Sequence, residues 1–448
     1  MNEEVNELVE LIEKEDYKKL KNKITDLNEA DIAEILQDIE DEEKRIKVFR
    51  LLPKDLAADT FANLDSDVQQ SFIKLLSMKE AGAIVENLYV DDAADLLDEM
   101  PASMVTKILA NTTPETRKEI NYLLRYPDNS AGSIMNIDYL DLKASLTVEQ
   151  AINKMRREGK EKETINVCYV LDKKRQLIGY IELRDFVFNS PDTLIEDIMN
   201  TNPVYVYTYE DQEEVAAKFS KYDVTVMPVV DREDKLVGII TVDDIVDILE
   251  QETTEDIEKM AAISPTDKPY LRMTPFETWK KRIPWLLLLM ISATFTGKII
   301  QHYESALAAY VVLTSFIPML MDTGGNAGGQ ASVTIIRGLS LNEIEYKDFF
   351  KIIGKELIVS LMVGLTLAVA NFAKLLIIDQ VSLVIALVVC LSLVITVIFA
   401  KLVGCTLPIL AKKVGFDPAV MASPFITTIV DAISLFTYFN IATLILGI

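Results

Sequence analysis

Residues 423–439, SPFITTIVDAISLFTYF, decide how this chain folds, because one carboxylate, Asp431, stands in the middle of an otherwise apolar and hydroxyl-bearing run. An ionised side chain in a membrane-crossing helix costs several kcal/mol unless it faces water, a cation or a partner. No Lys or Arg lies nearby in the sequence to pair with it. Two readings follow: a protonated aspartate hydrogen-bonded to a neighbouring helix, or a ligand for a cation. The second explains better why a carboxylate is kept there.

Working outward, the chain reads as five apolar stretches from Pro284 onward, at 284–303, 305–321, 352–378, 381–410 and 418–447. Most reach the ~20 residues needed to cross ~30 Å of hydrocarbon. Lys280, Lys281 and Arg282 precede the first stretch, Arg337, Lys347 and Lys351 separate the second from the third, and Lys412 and Lys413 precede the fifth. That bias makes these connections cytoplasmic, and an odd number of spans then leaves the C-terminus outside. The short second stretch runs into Pro318-Met-Leu-Met-Asp322-Thr-Gly-Gly-Asn326-Ala-Gly-Gly-Gln330-Ala-Ser332. A break at membrane depth is tolerated where it lines a cavity. Asn326, Gln330 and Ser332 add neutral oxygens suited to a hydrated hard cation. The alternative is a tight turn with small residues for helix packing.

The strings MDTGGNAGGQAS (321–332) and GFDPAVMASPFITTIVDA (415–432) resemble the membrane signature of the MgtE family of magnesium channels. The resemblance implies a homodimer in the cell membrane, in contact with lipid, whose pore lies between subunits. It implies Asp431 as the selectivity site, with Asn326, Pro318, Gly325, Gln330, Thr428 and Ser423 around the pore. Ser423 departs from the asparagine that some members carry there. Magnesium dehydrates reluctantly, so two facing carboxylates holding the ion through its water shell suit conduction better than a narrow carbonyl cage.

Charge divides the chain as sharply as hydropathy. Of 69 acidic residues 60 precede Pro284, with 36 of the 45 basic ones, so that segment carries the whole net charge of −24. Such a surface disfavours nucleic acid and favours cations. Three cysteines without CxxC spacing and one histidine, His302, argue against disulfide frameworks, zinc sites and Ser-His-Asp catalysis. MNEEVNELVE lacks the basic and apolar regions of a secretory signal, which predicts a cytoplasmic front half.

Within that half, VCYVLDKKRQLIGYIELRDFV and TVMPVVDREDKLVGIITVDDIV repeat at an offset of 59, matching Asp172 to Asp231, Gly179 to Gly238 and Asp185 to Asp244. Each copy reads as strand, charged turn, strand and Asp-led helix. The pair resembles tandem CBS domains, which often bind adenine nucleotides. On that resemblance Tyr180, Arg184 and Asp185 are candidate ATP contacts, although Asp185 could simply cap its helix. Ahead of the repeat, segments such as ADIAEIL, KDLAADTF and DDAADLLDEMP predict a stack of helical hairpins. After it, VDDIVDILEQETTEDIEKMAAI predicts a helix ending at Ser264-Pro265, with Asp244, Asp247, Gln251 and Glu255 on one face, where like charges repel unless cations sit among them.

The expected architecture is therefore multidomain. It comprises an all-α helical-hairpin domain (1–130), an α/β tandem CBS pair (131–252), the end of a connecting helix with its linker (253–283) and a five-helix α transmembrane domain (284–448). The family resemblance implies regulatory Mg2+ ligands among Asp91, Asp92, Asp95, Asp223, Asp244, Asp247, Glu252, Glu255, Asp256 and Asp417, with Asp417 facing the connecting helix. For any one acid at a helix start, solvation near the positive helix end is the simpler account. The expected function is Mg2+ uptake through a channel that cytoplasmic Mg2+ closes, with ATP as a further ligand. A coupled divalent-cation transporter and a membrane-anchored nucleotide sensor are the alternatives. An enzyme is not expected: TGGNAGGQ lacks the Lys-Ser/Thr of a phosphate-binding loop, and no nucleophile-base pair appears.

Overall fold

A computed structural model describes residues 2–266 and 268–447. The chain divides into two compact units, Met1–Leu249 and Glu250–Ile448.

Among the described residues the first unit begins with ten short helices: Asn2–Glu13, Tyr17–Ile24, Glu29–Asp38, Glu42–Phe49, Lys54–Ala62, Ser66–Leu75, Met78–Val85, Val90–Asp98, Ala102–Leu109 and Pro114–Leu123 (α1 to α10). None is longer than 12 residues, a length at which an isolated helix is marginal in water, so each depends on its neighbours. Local caps start them: Ser77 and Glu80 form a reciprocal capping box at α7, and Asp41 accepts from two backbone N–H groups at α4. α3, α5, α7 and α9 pack in succession, as do α4, α6, α8 and α10. The result is a two-row stack held by apolar residues at helical spacing and by the edge-to-face rings of Phe49, Phe61 and Phe72.

The repeat follows as two matching three-stranded sheets. In the first, β1 (Asp141–Lys143) runs parallel to β2 (Val167–Leu171), which pairs antiparallel with β3 (Leu177–Glu182). Around them lie α11 (Val148–Glu158), α12 (Leu183–Phe188) and α13 (Ile195–Ile198). In the second, β4 (Val206–Tyr207), β5 (Val226–Val230) and β6 (Leu236–Thr241) repeat the order, between α14 (Gln212–Tyr222) and α15 (Val242–Met260). The offset of 59 holds down to the register shift, at Val170/Leu171 and again at Val229/Val230. Each copy is completed by the segment preceding the other: Asn136 exchanges two backbone bonds with Ile239, and Asn200 does the same with Tyr180. Tyr169, Leu171, Val226, Leu236 and Ile239 fill the space between the sheets.

Among the described residues of the second unit four helical stretches are long and apolar enough to cross a membrane: Pro275–His302, Tyr346–Ile377, Leu383–Val414 and Pro418–Leu446. Their α-helices are α16 (Pro275–His302), α19 (Phe349–Ile377), α20 (Leu383–Val414) and α21 (Ser423–Leu446). The expected second span differs. Residues 305–321 do not form one helix but divide among α17 (Glu304–Ala309), a 3-10 turn at Val311–Phe316 and α18, Ile317–Ser340. The Gly-rich run expected to break the helix is instead the interior of α18. Pro318 sits in the first turn, where its missing N–H leaves no bond unmade, so the interruption lies upstream of it.

Packing explains why a glycine-rich segment is helical despite a propensity deficit of about 1 kcal/mol per Gly. A Cβ on Gly324 would meet Val430, Ser434 and Thr396 at 2.8–2.9 Å, and one on Gly404 would lie 2.2 Å from the backbone oxygen of Gly328. The glycines let α18 press against α20 and α21, as small residues do between membrane helices. Gly404→Ala, which sets a methyl against unyielding backbone, is expected to cost about 1–3 kcal/mol of stability, read as a lower unfolding temperature in detergent. Gly354→Ala, which meets nothing within 4 Å, should leave that temperature unchanged or raise it.

Candidate functional site

The acids meet at three places. In the first unit, α8 brings Asp91 and Asp92 to the start of α15, where Asp244 accepts from the Thr241 hydroxyl at 2.7 Å and the Thr241 N–H at 3.4 Å. Asp91 is buried, 8% exposed, and its Oδ1 accepts from the Asn136 amide at 3.1 Å. The same Asn136 amide donates to Glu163 at 3.0 Å. Burial first, then the Asp92 and Asp244 charges, pushes Asp91 well above the ordinary carboxylate range. Burial and Asp244 raise Asp92 to about 6, and burial with Asp244 and Asp243 raises Glu163 to about 7. Asp244 is raised as well, mainly by burial. Crowded, partly dehydrated carboxylates of this kind attract a proton or a metal ion.

Not every expected ligand joins that group. Asp95, raised to about 7 by burial and by Asp92 and Asp244, belongs to it electrostatically, and Asp247 is among the charges acting on Asp92. Asp223 instead forms the left-handed C-cap of α14, an exposed position. Asn136 and Glu163 were missed by sequence reasoning. Asn136 is set by the exchange with β6, a relation invisible in the linear order. Among the described residues no three Asp, Glu, His or Cys side chains form a ready-made metal cage.

The second place lies where α15 meets the segment before α21. Asp417 caps the turn Pro418–Met421 by accepting from the Ala419 N–H at 2.7 Å, and Lys259 lies 2.6 Å from its other oxygen. Lys259 also pairs with Glu255 one turn earlier on α15. Burial pulls the Lys259 ammonium down, but Asp417 and Glu255 outweigh it and hold the group above the usual lysine range. Asp256 accepts from Ser340 Oγ at 3.2 Å, and burial together with Asp417 raises its carboxyl. Glu252 is half-buried on the same helix. The like charges expected on α15 do therefore meet a cation, and it is one the chain supplies. Nothing in the linear pattern singles out this one basic residue among so many acids.

The third place is Asp431. Its Oδ1 is buried without a hydrogen-bond partner, and Asp322 on α18 is the charge that bears on it. Lys401, buried in α20, is engaged by Glu356 of α19 at 3.4 Å. α18 has two faces. Gly324, Gly325, Gly328 and Ser332 are buried, whereas Asp322, Asn326 and Gln330, spaced by four, share the exposed face. Thr428 donates to the Pro424 carbonyl at 3.0 Å. Gly325 and Pro318 shape α18 without presenting a side-chain oxygen, and the Ser423 side chain lies outside the described residues. Asp322 shares the face of Asn326 and Gln330, a spacing the sequence already contained.

At the first repeat, Asp185 Oδ2 accepts from the Glu182 N–H at 3.1 Å, the capping role weighed against nucleotide contact. Tyr180 Oη accepts from Asn200 at 2.9 Å, and Arg184, largely exposed, pairs with Glu182.

Comparison with known proteins sets these sites in context. The family model for divalent cation transporters of the MgtE type matches residues 317–441, that for the MgtE intracellular N domain matches 27–129, and the CBS domain model matches 131–191 and 195–251. The chain is 37% identical to a magnesium transporter MgtE of Thermus thermophilus over 98% of both chains. It is 33% identical to that of Bacillus subtilis over 94% of this chain and 92% of the relative. Among solved structures, the cytosolic domain of an Mg2+ channel MgtE in complex with ATP covers 55% of this chain and 99% of its own, at 36% identity and a TM-score of 0.52. The soluble part of a magnesium transporter covers 56% and 99%, at 32% identity and a TM-score of 0.53.

The carboxylates at α8 and α15 give a pH dependence with a definite sign. Their folded-state values lie above the ordinary ones, so the folded unit holds protons that an unfolded chain would release. Stability is then fullest below about pH 4 for these groups and is lost as pH rises through about 6–7. With divalent ions chelated, limited proteolysis between residues 1 and 249 should quicken from pH 5 to pH 8, and millimolar Mg2+ should slow it again at pH 8.

Proposed function

Since the chain belongs to the MgtE family of magnesium transporters, we propose that it is a homodimeric, Mg2+-selective channel for uptake, closed by cytoplasmic Mg2+. The observation that carries this reading is Asp431, a carboxylate with an unpartnered oxygen midway along an apolar helix. Water, a cation or a hydrogen-bonding partner relieves such a group, and in a cation transporter the cation is the relief at hand. Across a subunit boundary, two copies of Asp431 would hold a hydrated ion through its water shell, tightly enough to select a divalent ion and indirectly enough to release it. Asn326 and Gln330, with Asp322, would line its path. α18 would be the fifth crossing, which leaves the N-terminal domains cytoplasmic, the C-terminus outside and residues 284–448 as the pore domain in contact with lipid.

Closure would come from Mg2+ drawn to the crowded acids of the helical domain (1–130), the CBS pair (131–252) and the connecting helix. The ion must bind the closed state more tightly than the open one. Moving an equilibrium from 1:99 to 99:1 needs about 10⁴-fold differential binding, which several weak hydrated sites can supply together. The raised carboxylates at Asp91, Asp92, Glu163 and Asp244 support this, because they are the groups whose repulsion an ion would relieve. ATP, which a relative's cytosolic domain binds, would be a second ligand, at the exposed Arg184 beside Tyr180 and Asp185.

The decisive experiment is Mg2+ flux into liposomes. Asp431→Ala should lower flux at least tenfold, and flux equal to wild type would remove the pore assignment. Asp244→Asn combined with Asp247→Asn should shift closure to higher Mg2+, and an unmoved inhibition curve would count against gating by these acids.

A further inference from the structure

The contact between α15 and the segment before α21 contains its own cation. The Lys259 ammonium is salt-bridged to Asp417 at 2.6 Å and to Glu255. It joins two elements separated by more than a hundred residues of sequence. Its side chain is 21% exposed, and Asp417 and Glu255 are 31% and 34% exposed, so the three groups are largely withdrawn from water. Asp256 adds a third carboxylate to the same locality through the Asp417 charge.

Three acids this close would drive α15 away from Asp417 unless something positive lay between them. In the gating reading that something is a divalent ion. Here a side chain already occupies the gap. Its placement is favourable on two counts. Glu255 precedes Lys259 by four residues, the better order for an ion pair on a helix, and Lys259 stands in the last turn of α15, where the helix dipole favours a cation. A lysine ammonium is a compact point charge with three donors, able to serve two carboxylates that approach from different directions.

We propose that Lys259 is a tethered counter-cation, a positioning residue that holds α15 against Asp417 without bound metal. This rests on the channel reading above and adds to it a division of labour. The lysine contributes a fixed, concentration-independent bias toward closure, and Mg2+ at the remaining acids supplies the variable part. Without the ammonium, Glu255 and Asp417 would face one another, with Asp256 nearby, and lack a counter-charge. Closure would then need an additional ion at this contact, which raises the Mg2+ required and steepens the response.

The test is Mg2+ inhibition of flux in liposomes, comparing wild type, Lys259→Met and Lys259→Arg. Lys259→Met should move the inhibition midpoint to about threefold higher Mg2+ or more, with a steeper curve, and Lys259→Arg should return it toward wild type. A midpoint unchanged or lowered in Lys259→Met overturns the proposal. Should Lys259→Met not reach the membrane, Lys259→Gln, which keeps a polar side chain of similar reach without the charge, is read on the same scale. A midpoint raised threefold or more supports the proposal, and one near wild type overturns it. Failure of the channel reading shows separately, as wild-type protein whose flux Mg2+ does not inhibit.

Discussion

Negative charge withdrawn from water must find a positive partner, and each functional feature of this chain is a different answer to that demand. Asp431 lies in an apolar helix with one oxygen unpartnered. The crowded carboxylates at α8 and α15 have the Asn136 amide, which donates to Asp91 and Glu163. Asp417 and Glu255 close on a lysine, and Glu356 on Lys401. Where the chain supplies a cation, the contact is fixed by covalent structure. Where it supplies none, the carboxylates are left without a counter-charge fixed in the fold.

This arrangement accounts for the two-part composition. A net charge of −24 lodged ahead of the membrane segments would be a poor way to stabilise a soluble fold, because self-repulsion opposes compaction. It makes sense if compaction is meant to be conditional. The apolar unit is built oppositely: its glycines allow backbone-to-backbone approach between α18 and α20.

The sequence made the order of parts legible, because it is written in local signals: apolar length, an offset of 59 and helical spacing of leucines and alanines. The Asp431 anomaly was legible for the same reason, being a single residue out of keeping with its neighbours. The interior of α18 was misread because propensity describes a glycine in isolation, whereas the fold uses it for what can come close. Asn136, Glu163 and Lys259 escaped because their roles arise from contacts between distant segments. Their side chains look ordinary until a β6 pairing or an Asp417 loop is brought against them.

The exchange of flanking segments between the two halves of the repeat carries a consequence for how the protein is made. Asn136 is synthesised about a hundred residues before the Ile239 backbone it must meet, so the earlier half leaves the ribosome lacking an edge that only the later half can complete. Completion of each half must therefore await a long-range encounter with the other, which slows acquisition of the native state. The same reciprocity ties their fates on the way down. Loosening one half strips the other of a strand-edge partner, so the pair should melt in one cooperative step instead of fraying from either end.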